Sequence, residues 1–154
     1  MLRLSKKADY ALLAMRHLAA RGGREAVSAR ELAETYAIPP ELLAKVLQKL
    51  VRARLLESHH GIRGGYGMSR PPAAVSVADV IQAIDGPLTV TACSEDDHSC
   101  DQYTKCGIRD PLWRIKDRIV AALAATSVAE LAADVTPPPP SLRGVMPMTM
   151  VKNS

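Results

Sequence analysis

All three cysteines of this 154-residue chain, Cys93, Cys100 and Cys106, fall within fourteen residues. An odd set of thiols confined to one segment cannot pair off completely, and it cannot staple distant elements together. The fold must therefore rest on an apolar core, which 47% hydrophobic residues can build even with no Phe. The same crowding suits the segment to holding a metal or a cluster. The sequence shows no secretory h-region and no apolar run long enough to cross a bilayer, so the expected location is the reducing cytoplasm, with no membrane partner.

The charge is divided unevenly. Residues 1–72 hold thirteen Lys/Arg against six Asp/Glu, whereas residues 73–154 hold seven against ten. A basic N-terminal half suits contact with phosphates, because release of condensed counterions drives non-specific DNA binding.

The order of elements in that half is that of a helix-turn-helix followed by a wing. Lys6 to Arg21 is rich in Ala and Leu and is stopped by Gly22-Gly23. Ser28 and Glu31 have the spacing of a capping box, opening a short helix through Tyr36 with Leu32, Ala33 and Tyr36 on one face. After Ala37-Ile38-Pro39, Pro40 opens a third helix. It sets Leu43, Val46, Leu47 and Leu50 on one side and Glu41, Lys45, Gln48 and Arg52 on the other. The polar side is what a recognition helix presents to a major groove. Leu55 to Ser58 and Tyr66 to Ser69 then read as a hairpin whose tip carries Arg63 and Gly64. The residues expected on DNA are Glu41, Lys45 and Lys49 around the recognition face and Arg63 and Gly64 in the wing. Arg3, Lys6 and Lys7 are expected at phosphates.

Pro71-Pro72 marks a boundary. Val77 to Asp85 reads as a helix with Val77, Val80, Ile81 and Ile84 inward, and Gly86-Pro87 ends it. The cysteine loop runs from Leu88 to Asp110. Pro111 then opens a helix to about Ala125, along which Leu112, Ile115, Ile119 and Ala122 form a stripe widened by Trp113, Val120 and Leu123. A stripe this broad needs a cover, and two copies packed by two-fold symmetry would supply it, with Leu112, Trp113, Ile115, Ile119 and Leu123 at the interface. The expected fold is mainly α with a small β-hairpin wing: a winged helix-turn-helix domain over 1–72, a linking helix and cysteine loop over 73–110, and a dimerisation helix with a short terminal helix over 111–134. The proline-rich stretch 135–154 is expected to be disordered.

Cysteine spacings of six and five intervening residues let a loop wrap a cluster, and thiolates are the soft ligands that iron in a cluster prefers. Zinc sites more often use tight pairs two to four residues apart. Three thiolates leave one position open, and His98 inside the loop is a candidate for it. Without a cluster the same residues would form a thiol redox switch. No nucleophile–base pair, phosphate-cradling loop or carboxylate dyad stands at a recognisable spacing, so neither an enzyme nor a small-molecule substrate is expected.

The opening Leu2-Arg3-Leu4-Ser5-Lys6, then Asp9-Tyr10-Ala11, the wing Gly61-Ile62-Arg63-Gly64-Gly65-Tyr66, the run Ile84-Asp85-Gly86-Pro87 and the cysteine loop leading to Leu112-Trp113 closely resemble the Rrf-type iron-sulfur transcription regulators. Thr91-Ala92-Cys93 after Gly86-Pro87 is most similar to the branch that regulates the Suf cluster-assembly system. The resemblance implies a homodimer that binds an iron-sulfur cluster, of the 2Fe-2S or 4Fe-4S type, at Cys93, Cys100 and Cys106, reads an operator in double-stranded DNA and represses cluster-assembly genes while the cluster is present. Nitric-oxide-sensing and iron-sensing members share the scaffold. Some members place a histidine ligand three residues after the last cysteine, where this chain has Arg109. The nitric-oxide-sensing branch supplies a carboxylate across the dimer from the position of Asp9, which the resemblance therefore implies as fourth ligand, ahead of His98.

Overall fold

Helix α1, Lys6–Ala20, begins where the Ser5 hydroxyl accepts a hydrogen bond from the Ala8 N–H at 3.0 Å. It ends in a Schellman turn, with Gly23 N–H bonded to the Leu18 carbonyl and Gly22, at φ 78°, bonded to that of Ala19. Its Ala8, Ala11, Ala14, Met15 and Leu18 are buried, three- and four-residue spacings that make this helix the floor of the core. The computed structural model describes residues 3–90 and 100–133.

Helix α2, Ala29–Tyr36, and helix α3, Pro40–Arg52, follow as the helix-turn-helix. The Ser28 hydroxyl caps α2 by accepting from Glu31 N–H. The Glu31 carboxylate does not complete the box, because it turns to Arg21 at 2.9 Å, tying α2 to the end of α1. His17 of α1 joins the same junction, its Nδ1 3.0 Å from the Tyr36 hydroxyl and its ring edge-on to the tyrosine. The turn into α3 passes through Ala37 at φ 51°, and α3 ends through Arg54 at φ 59°; neither is glycine. Leu43, Val46, Leu47 and Leu50 are buried as the apolar spacing requires.

Strands β1, Leu56–His59, and β2, Gly65–Met68, pair antiparallel with Leu56 opposite Met68 and His59 opposite Gly65. Each lies one residue from the expected bounds. Val27 adds a bridge on the outer side of β2, exchanging backbone hydrogen bonds with Tyr66 at 3.0 and 2.8 Å. That bridge brings the backbone so close at Gly65 (φ 152°) that a Cβ there would collide with the Val27 carbonyl oxygen. Gly65→Ala is therefore expected to destabilise the protein by about 2 kcal/mol or more, since both the dihedral and the contact oppose a side chain. Thermal melts of the full chain check this, and an unchanged midpoint would contradict the close approach.

A 3-10 turn at Pro72–Ala74 leads to helix α4, Val77–Asp85, which opens on a complete capping box between Ser76 and Asp79. Val77, Val80, Ile81 and Ile84 are buried. Helix α5, Arg109–Ala125, starts two residues before Pro111, and the chain then returns to helix α6, Val128–Ala133. Here Val77 N–H donates to Thr126 and Val128 N–H to Val75, and Arg16 of α1 reaches the Leu131 carbonyl at 3.0 Å. The core that begins in the helix-turn-helix thus also takes in Val75, Val80, Ile84 and Val128.

Candidate nucleic-acid interface and cysteine loop

With the apolar side of α3 buried, Glu41, Lys45, Gln48, Lys49 and Arg52 are left exposed. Lys7 of α1 joins Lys45, Gln48, Lys49 and Arg52 along one groove, a basic strip of the kind that phosphates occupy. Arg3 and Lys6 are exposed at the start of α1, where Lys6 lies 5.9 Å from the centre of the Tyr10 ring. Lys49 has a second engagement that spacing alone does not show: its ammonium donates to the Ile84 carbonyl of α4 at 3.1 Å. A cation at a helix C-terminus also meets the negative end of its dipole.

The wing follows α3 directly in sequence and is built from equally local chemistry. Gly64 N–H donates to the Gly61 carbonyl at 2.9 Å, closing a turn with Ile62 and Arg63 at its centre. A Cβ at Gly64 would meet the His59 carbonyl oxygen at 2.6 Å, so this turn depends on glycine. Arg63 and Gly64 line a surface with Ser28 and Glu31 at the start of α2. His59 stays exposed with Nε2 3.2 Å from the Glu57 carboxylate, and His60 is exposed beside it.

The end of α4 is the structural gate to the cysteine segment. Ser5, the N-cap of α1, donates to the Asp85 carboxylate from both its N–H, at 3.2 Å, and its hydroxyl. Together with Lys49, this fastens the last turn of α4 to both α1 and α3.

Cys93 and His98 lie outside the described residues. Cys100 and Cys106 are half-buried free thiols flanking a 3-10 turn, Tyr103–Lys105, which opens with Tyr103 N–H donating to the Cys100 carbonyl at 2.9 Å. Arg109 holds this turn to α5. Its guanidinium donates to the Tyr103 carbonyl at 3.1 Å and lies 4.4 Å from the Tyr103 ring centre and 5.7 Å from that of Trp113. Its hydrogen bond to Asp110, at 2.9 Å, raises its pKa further above the usual arginine value. Asp9 sits half-buried on α1, and among the described residues no three His, Cys, Asp or Glu side chains gather closely enough to hold a metal ion. As soft donors, the thiols do fit an iron-sulfur cluster chemically.

No residue of α5 is buried. Leu112, Trp113, Ile119 and Leu123 are half-covered and Ile115 is 46% exposed. The Trp113 indole nitrogen is shielded from solvent without a hydrogen-bond partner among the described residues. No helix among them is long and apolar enough to cross a membrane.

Residues 4–134 match the model of the Rrf2 family, described as an iron-dependent transcriptional regulator. An HTH-type transcriptional regulator of Mycobacterium tuberculosis is 44% identical over 87 residues, 56% of this chain and 54% of that protein, so the chain matches only about half of that relative's length. The repressor NsrR of Streptomyces coelicolor is 31% identical over 138 residues, 89% of this chain and 93% of its own. The solved structure of CymR, the global cysteine regulator of B. subtilis, superposes with a TM-score of 0.70 at 27% identity, covering 86% of this chain and 98% of that one. These similarities are to transcriptional regulators, not to enzymes.

Proposed function

We propose a function that proceeds from one premise: this chain belongs to the Rrf2 family of transcriptional regulators. Its α3 enters the major groove of operator DNA with Glu41 and Lys45 toward the bases, Lys49 flanking them, and Arg63 and Gly64 of the wing beside the minor groove. Arg3, Lys6 and Lys7 contact phosphates. The chain acts as a homodimer through Leu112, Trp113, Ile115, Ile119 and Leu123, whose helix is only half-covered by the described residues of its own chain. Cys93, Cys100 and Cys106 hold an iron-sulfur cluster, with the partner subunit's Asp9 as fourth ligand and His98 as the alternative. The protein represses Suf-type cluster-assembly genes while the cluster is present.

The observation that carries this reading is the fastening of α4. The cysteine segment follows α4 across Gly86-Pro87, and Asp85 and Ile84 at the end of α4 are the residues bonded to Ser5 of α1 and Lys49 of α3. When bound, the cluster supplies metal–thiolate bonds sensitive to oxidants and nitric oxide. A change in the path of the cysteine segment pulls on Gly86 and the last turn of α4, and Lys49 passes that change to α3 while Ser5 passes it to the start of α1. Arg109 keeps the stretch from Cys100 to Cys106 attached to α5, so the segment moves against the dimer helix and not independently of it.

A second reading keeps the DNA-binding half and replaces the cluster with reversible oxidation of the thiols. It is favoured by Cys100 and Cys106 being free and partly exposed. Anaerobic purification with iron and sulfide analysis, followed by DNA titration of loaded and apo protein, separates the two. The expected result is a brown protein with matching iron and sulfide, altered in spectrum by Asp9→Ala. A protein that stays colourless through reconstitution and binds DNA according to its thiol oxidation state would replace the first reading with the second.

A further inference from the structure

Among the exposed large apolar residues of the described chain, Ile62 is the extreme: 107% exposed, against 65% for Ile108 and 46% for Ile115. It shares with Arg63 the central pair of the turn closed by Gly64 and Gly61, the outermost point of the hairpin. A solitary exposed apolar side chain is ordinary on a protein surface, and its position is what makes this one informative. Hairpin-turn centres usually carry Gly, Asn, Asp, Ser or Pro, each for a backbone or hydrogen-bonding reason that a β-branched isoleucine lacks. Fully exposed, Ile62 adds nothing to the core, while the residue next to it carries the charge that would bring the turn to a polyanion.

We propose that Ile62 is a minor-groove contact residue, lying against the deoxyribose walls of the groove beside Arg63 and expelling water from them. The proposal rests on the wing reading above and deepens it. The two residues would contribute different kinds of affinity: Arg63 a term that weakens with salt through counterion release, Ile62 a nearly salt-independent term from apolar burial. Minor-groove binders combine basic side chains, drawn by the groove's negative potential, with apolar side chains that enter it.

The test is fluorescence anisotropy of the full chain on an A·T-rich duplex of about 30 base pairs, long enough for two half-sites a helical turn apart, across a salt series. Ile62→Ser is expected to weaken binding about five- to tenfold at every salt concentration with the slope unchanged. Ile62→Leu is expected to restore binding, whereas Arg63→Ala should make the slope shallower by about one per wing, about two for the dimer. Preloading the duplex with a minor-groove-binding drug should erase the difference between Ile62→Ser and the parent. If Ile62→Ser binds like the parent while Arg63→Ala shifts the slope, the Ile62 contact is overturned and the wing survives. Persistence of the difference under the drug also overturns the minor-groove assignment, and an Arg63→Ala variant with unchanged affinity and slope overturns the wing itself.

Discussion

Cys106→Ala is expected to give a folded protein that holds no stoichiometric iron or sulfide and binds operator DNA equally under cluster-loading and apo conditions. Cys106 closes the 3-10 turn and lies outside the core, so its sulfur supports no apolar packing there. Its removal lowers the thiolate count of the chain from three to two. The parent protein's contrast between loaded and apo forms, on the order of a hundredfold if the coupling is a few kcal/mol, should collapse to near unity. Iron and sulfide analysis, anisotropy on operator DNA and a circular-dichroism melt measure the three parts separately. Retention of a full complement of iron and sulfide would remove Cys106 from the ligand set, and a lowered melting point would show that its role is structural.

Leu47→Ala should be the more damaging change to the fold itself. Leu47 is wholly buried on the side of α3 opposite the proposed DNA face, and it belongs to the cluster that joins α1, α3, β1 and α4. Truncating such a leucine costs about 2–5 kcal/mol, because lost transfer free energy is compounded by a cavity that rigid helices close only in part. For a chain of this size that lowers the melting temperature on the order of ten degrees. Gln48→Ala, one residue on but exposed, is expected to shift stability by less than about 0.5 kcal/mol. Thermal melts of the pair decide it: equal midpoints would mean that the two faces of α3 have been exchanged.

Local patterns made α1, α3 and α4 legible, because each puts its apolar residues on one face and each face is buried. Gly22 announced the end of α1, since an αL cap with glycine is a local preference. Ala37 and Arg54 announced nothing: their positive φ is imposed by the packing of the elements they join, against their own preference. The Ser28–Glu31 spacing revealed the cap but not the fate of Glu31, which Arg21 captures from another helix. The same spacing at Ser76–Asp79 and Ser127–Glu130 does close complete boxes, a signal available at both helix starts.

The proposed site divides along the same line. Residue type and spacing were enough to indicate the exposed basic face of α3, the glycine-dependent wing tip and the thiol-rich segment, because each depends on neighbours within one or two turns of chain. The fastening of Ser5 to Asp85 and of Lys49 to Ile84 joins residues 80 and 35 positions apart, and no periodicity encodes it. Which carbonyl a lysine reaches, and which helix lies beside the mouth of the cysteine segment, follow from how the apolar faces dock. Sequence by itself determined the elements, their faces and the chemistry available to them. Tertiary structure alone decided that the cysteine segment begins at a helix end bonded to both α1 and α3, because hydrophobic burial is non-directional and the polar contacts form only where that burial has already brought the chain together.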